Sequence, residues 1–233
     1  MTSSALDAQA RADISSRPWY VVAARGRDVV NVQEFSTLRP GRRLMSRNWN
    51  GFRLFEDPAY LAYAGGRYAH RCLPWEVWQV KPIRPLRYEP TSLPGFTTRQ
   101  LRARRIEVVQ RMTPGFEYGP YGRTVRALVE RLAQVVPPQR PDPADRDYEI
   151  ALTFLEEQRG HGGWLHDCRV SLATAYLDCL TSGSSTGPAG RWKHYLPTEL
   201  PVHTLLDATI SGLPIPHVVA QRWNLTEESS NRS

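Results

Sequence analysis

The sequence predicts an α+β protein: a small two-sheet, β-rich module over residues 18–120 followed by a mainly helical region over 121–226. Three observations carry this expectation. Runs of aromatic and β-branched residues with period-two alternation fall in the first half. From Thr124 onward, apolar residues recur at three- and four-residue spacing instead. Charge divides at nearly the same place: residues 17–123 hold 19 Lys or Arg against 8 Asp or Glu, and residues 124–233 hold 10 against 13.

The chain opens with a small, polar segment, residues 1–17, expected to be a tail. Trp19 to Ala24 is aromatic and β-branched and predicts the first strand, ended by Gly26; Val29 to Val32 reads as a second short extended piece. Leu38-Arg39-Pro40-Gly41 is a turn, because proline fixes φ and glycine is free to take φ > 0. Gly51 to Phe55 alternates as a half-buried strand does. Glu56-Asp57-Pro58 then predicts a helix start with an acidic cap and proline at the first helical position, the helix running to Tyr68.

Trp75 to Val80 carries large apolar groups on both faces and is expected to be a central strand. Pro82, Pro85, Pro90 and Pro94 place Lys81 to Pro94 as a stiff loop at the module's edge, since proline cannot donate to a ladder. Thr98 to Val109 is the last strand, dense in arginine, and Pro114-Gly115 with Gly119-Pro120 ends the module. Val125, Leu128, Val129 and Leu132 then mark one helix face. Asp145 to Arg159 and Trp164 to Leu180 predict two more helices, SGSSTGPAG (182–190) a linker, and Val202 to Ile210 a last helix before a tail at 227–233.

Composition narrows the function classes. With 41% hydrophobic residues among 233, the chain can build a core, and it contains no apolar run long enough to span a bilayer. The start, MTSSALDAQARADISSRP, lacks the apolar stretch of a secretory signal, and three cysteines make no disulfide framework, so a reducing, cytoplasmic setting is expected. The net charge of +7 is concentrated in the first half, almost entirely as arginine, whose planar fork suits phosphate. The basic runs Arg39-Arg42-Arg43-Arg47 and Arg99-Arg102-Arg104-Arg105-Arg111, with Trp49, Phe52, Tyr88 and Phe96 nearby, are expected to line one basic groove. Such a groove suits a dinucleotide, another phosphate-bearing ligand or nucleic acid. A solvated edge strand carries the same residues for a different reason, to resist aggregation. His70 with Cys72 and His166 with Cys168 offer a zinc site only if two distant segments converge, so no metal is expected.

Several features together resemble the small ADP-ribosyltransferases of the rifamycin-inactivating type, over about residues 19–110. They are Trp19-Tyr20 on a first strand, Leu38-x-Pro40-Gly41 before a second, and Phe52 to Tyr68 as strand and helix. A Trp/Val strand then runs into Val80-Lys81-Pro82, and Pro94-Gly95 precedes Thr98-Arg99, Arg102, Arg104 and Val108-Val109. The resemblance implies a cleft holding NAD as co-substrate, with a carboxylate that stabilises the oxocarbenium ion formed as nicotinamide leaves. On this reading Glu89 or Glu76 is the catalytic carboxylate. Tyr20, Arg25, Phe52, Arg53, Phe55, Arg99 and Arg102 then contact the cofactor. Val21 stands where that family carries a histidine, and Arg53 where it carries a tyrosine. A nucleic-acid-binding protein using the same groove, or a non-catalytic interaction module, is the alternative.

Overall fold

The computed structural model describes residues 14, 16–24, 27–28, 38–46, 51–61, 75–93, 96–135, 153, 157, 163–182 and 196–225. Side chains are described throughout most of these, but not over 84–99. The class is α+β, as the sequence predicts, and the chain divides into two compact units, Met1–Glu117 and Tyr118–Ser233.

The first unit is built from β1 (Trp19–Ala24), β2 (Arg27–Asp28), β3 (Arg43–Met45), β4 (Phe52–Phe55), β5 (Trp75–Leu93) and β6 (Phe96–Arg111). All pairings are antiparallel. β1 lies against β5 from Trp19↔Val80 to Ala24↔Trp75, and on its other edge meets β2 and, through Tyr20↔Phe55, β4. β4 pairs with β6 from Phe52↔Ala103 to Phe55↔Gln100, and β6 pairs with β5 along nearly its whole length. The circuit β1–β4–β6–β5 therefore closes, so the strands form one small barrel-like sheet rather than two separate ones. β3 extends it beside β6.

Alternation fills the interior. Trp19, Val21 and Ala23 of β1, Phe52 and Leu54 of β4, and Trp78 and Val80 of β5 share one core with Leu101, Ala103, Ile106 and Val108 of β6. Cross-strand partners agree in facing inward, as in Phe52↔Ala103, Leu54↔Leu101, Val21↔Trp78 and Val80↔Val108. Trp19 is wholly buried, and its indole Nε1 donates to the Ile14 carbonyl at 2.8 Å, so its one polar atom is satisfied. On the outer side of β1, Tyr20 packs its ring 5.0 Å from that of Phe116 and is the register partner of the buried Phe55.

The stiff loop expected over Lys81 to Pro94 is instead the greater part of a 19-residue strand. Two facts reconcile proline with the ladder. Beyond Val80, β5 pairs only with β6 among the described strands, so its other edge needs no donors. Pro82 and Pro85 also sit beside register shifts. Those shifts are four β-bulges that alternate between strands: Val109 is the extra residue on β6, Ile83 on β5, Arg104 on β6 and Leu86 on β5. Each bulge bends the ribbon, which lets one hairpin serve both ends of the circuit. The Arg104 bulge also changes which residues face inward, from Leu101 and Ala103 to Ile106 and Val108.

Pro40 and Gly41 form the anticipated turn. Gly41 has φ +78°, Arg42 N donates to the Arg39 carbonyl at 3.1 Å, and Gly41 N donates to the Val108 carbonyl at 2.7 Å, latching the turn to β6. The Asp57 carboxylate accepts from Ala59 N at 2.8 Å and Pro58 stands at the first position, as the sequence signals. The element they open is described as a 3-10 turn, Pro58–Tyr60; the remainder of the expected helix, and Val29 to Val32, lie outside the described residues.

The second unit contains α1 (Gly122–Leu132), α2 (Gly163–Ser182), α3 (Leu196–Ser211) and α4 (His217–Arg222). Val125, Leu128, Val129 and Leu132 of α1 are buried, as their spacing predicts. α2 touches both α1 and α3, and buries His166, Cys168, Val170, Leu172, Ala173, Ala175, Tyr176 and Leu177, a wider surface than one stripe. α3 buries every residue from Thr204 to Ile210, so it shows no amphipathic face; the Thr209 hydroxyl is satisfied by the Leu205 carbonyl one turn back, at 2.8 Å. Both α3 and α4 end in Schellman motifs. Leu213 N donates to Ala208 O and Gly212 N to Thr209 O; then Leu225 N donates to Ala220 O and Asn224 N to Gln221 O. Gly212 and Asn224 supply the positive φ values, 73° and 50°. The expected helix over Asp145 to Arg159, the linker 182–190 and both tails fall outside the described residues, apart from Thr153 and Glu157.

Candidate nucleic-acid interface

β6 brings most of the arginines together. Its outward residues are Arg102, Arg104, Arg105 and Glu107, because Leu101, Ala103, Ile106 and Val108 point to the core. Arg102 is the register partner of Arg53 on β4 and of Arg87 on β5, so three arginine positions lie in a row across three strands. The next row along β6 joins Met45, Arg105 and Arg84, and the one after it joins Arg43, Glu107 and Lys81. Neighbouring strands are about 4.8 Å apart and alternate residues about 7 Å, so these rows form a compact basic grid. Arg43 of the first run and Arg102, Arg104 and Arg105 of the second therefore lie on adjoining strands of one sheet, with Arg39 and Arg42 in the turn that leads into β3.

Glu107 is the one acidic residue in 38–46 and 100–107, and Arg43 Nε donates to its carboxylate at 3.1 Å. Arg43, Arg105 and the Arg39–Arg42 turn are exposed; Arg53, Arg102 and Arg104 are half-buried, their stems against the sheet. Arg111 stands apart from the grid. It pairs with Glu76 at 2.8 Å, and the same carboxylate accepts from Trp78 Nε1 at 3.1 Å. Glu76 is thus the second residue of β5, at the strand's end, engaged by two donors.

The remaining predicted site residues separate. Phe52 and Phe55 are fully buried, Phe52 within the barrel core. Tyr20 is also buried, and burial, then the nearby Asp57 carboxylate, push its hydroxyl above the ordinary tyrosine range. Glu89 is the register partner of Gln100, and Arg99 that of Pro90, both with side chains outside the described ones; Arg25, Arg47, Trp49, His70 and Cys72 lie outside the described residues altogether.

In the second unit, the His166 imidazole Nε2 meets the Asp207 carboxylate, joining α2 to α3 with both groups buried. The sequence offers His166 and Cys168 to a metal only if a distant segment joins them; the partner of His166 is Asp207, 41 residues away, which carries no local signal. Among the described residues no cluster of three or more His, Cys, Asp or Glu is placed to hold a metal. No described helix is long and apolar enough to cross a membrane. Arg126 forms a second link, from α1 to α2: its Nε donates to Glu130 at 3.0 Å and its guanidinium lies 5.5 Å from the centre of the Tyr176 ring.

Comparison with family models, with curated proteins and with solved structures finds no match to this chain.

Proposed function

We propose that the first unit binds a nucleic-acid backbone on the outward face of β3, β4 and β6. The observation that carries this reading is the register itself, which aligns Arg53 with Arg102 and sets Arg105 and Arg43 in the rows beyond. Phosphates repeat along a strand, and a two-dimensional grid of guanidinium groups on a rigid sheet meets such a repeat without a deep pocket. The composition of that face supports the reading too: within 38–46 and 100–107, six arginines face one glutamate.

The ADP-ribosyltransferase-like reading, with NAD as co-substrate, is the second one, resting on the sequence resemblance. It asks aromatic rings to stack on nicotinamide, yet Phe52 is enclosed in the barrel core, Phe55 is buried outside that core, and Glu76 is held by Arg111. Glu89 remains its candidate carboxylate.

Fluorescence anisotropy of a labelled 15-mer oligonucleotide, titrated at several salt concentrations, tests the first reading. Three or four neutralised phosphates give a slope of log K against log salt of about −2 to −3. Arg102→Ala with Arg105→Ala should reduce that slope by roughly 1.4. A protein that ignores the oligonucleotide at 50 mM salt while NAD raises its Tm would overturn this reading in favour of the second.

A further inference from the structure

Two large apolar side chains stand out on the same basic face. Met45 is 59% exposed and Ile83 is 42% exposed. Their positions are related. Met45 is the register partner of Arg105, and Ile83 is the extra residue of the β5 bulge between Pro82↔Ile106 and Arg84↔Arg105. One therefore flanks Arg105 from β3 and the other from β5, roughly two strand spacings, about 10 Å, apart. Neither has a structural task inside the barrel: the inward residue of β3 is Leu44, packed on the core cluster, and the neighbours of Ile83 keep the ladder through Pro82 and Arg84.

An apolar pair around a guanidinium is costly to leave in water and useless against phosphate alone. A duplex presented by its backbone would leave both side chains idle, whereas an unpaired strand offers base faces beside its phosphates. We infer that Met45 and Ile83 are base-contacting residues, with Arg105 between them on the phosphate, and that the ligand is single-stranded nucleic acid. The occupant is fixed by charge complementarity: the surrounding positions Arg43, Arg102 and Arg104 call for an anion, and only a polyanion with apolar faces uses both features. This inference rests on the proposed backbone binding and specifies its ligand.

The experiment compares the full chain with Met45→Ala/Ile83→Ala, both exposed sites where truncation spares the core. Three probes are used: a single-stranded 15-mer, the same length as an abasic strand lacking its bases, and the 15-base-pair duplex. The wild type should bind the ordinary strand measurably tighter than the abasic one, because base faces cover the two apolar side chains. In the double variant that difference should vanish, with abasic binding and the salt slope unchanged. Equal affinity of wild type and variant for the ordinary strand overturns the inference, as does a duplex bound as tightly as the single strand. If the wild type binds none of the three, the backbone-binding reading itself fails; binding of the abasic strand with no gain from bases removes only the inference drawn here.

Discussion

Glu107→Gln is expected to strengthen oligonucleotide binding while leaving stability almost untouched. The carboxylate is held by Arg43 Nε at 3.1 Å, with the arginine side chain 77% exposed, and such surface pairs contribute about 0–1 kcal/mol. Thermal unfolding should therefore shift by no more than about 4 °C. Binding changes for two reasons. A phosphate on the Arg105 row lies about 7 Å from Glu107, and removing that repulsion in water contributes about 0.6 kcal/mol, close to threefold. Arg43, released, reaches one further phosphate and steepens the salt slope by about 0.7. The combined gain at 50 mM salt should be roughly threefold to tenfold, converging on wild type as salt rises. Anisotropy titrations across a salt series read both quantities, and a parallel melt checks the fold. Affinity and slope both unchanged in a normally folded variant would refute the placement of the ligand over β6.

Three further expectations concern the framework. Asp207→Ala leaves the His166 imidazole buried without its carboxylate and should destabilise the second unit by about 1–3 kcal/mol, whereas replacing both by leucine should recover most of it; urea denaturation measures this. Gly41→Ala meets no atom within 4 Å and should cost about 1 kcal/mol through its positive φ alone, while at Gly212 the added Cβ overlaps the Tyr121 ring and the loss should be clearly larger, in the same measurement. The Tyr20 hydroxyl, raised by burial and by Asp57, binds its proton more tightly folded than unfolded. Its contribution is complete below the ordinary tyrosine range and is lost as pH climbs through the raised folded value, so Tyr20→Phe should flatten the alkaline decline in Tm.

Local signals in the sequence carried far. Alternation at 51–55, the apolar run at 75–80, the Pro40-Gly41 turn and the α1 stripe all describe elements that form, because each depends on neighbours within a few residues. What escaped was set by distant partners. Four prolines between Lys81 and Pro94 argue for a loop, since nothing local reveals that, among the described strands, β5 pairs on one side only past Val80 or that bulges absorb Pro82 and Pro85. The change of inward residues at Arg104 likewise needs the register, and strict alternation would have set Ile106 and Val108 outside. α4 is six residues between a proline and an asparagine cap, too short for periodicity to register. As for the site, the arginine runs were visible as runs, but the alignment of Arg53 with Arg102 exists only once β4 and β6 pair. The enclosure of Phe52 follows from the closed circuit, which composition does not express.

The alternating bulges of the long hairpin carry a consequence for how this chain tolerates change in length. Each strand gains two residues and each gain is cancelled by one opposite, so the tip at Leu93↔Phe96 is in the same phase as the base at Trp78↔Arg111. Loss of Ile83 alone would throw everything towards the tip out of step and turn the grid partly inside out. Loss of Ile83 together with Arg104 would restore the phase beyond them. Insertions and deletions in this ribbon should therefore be survivable only in matched couples, one on each arm.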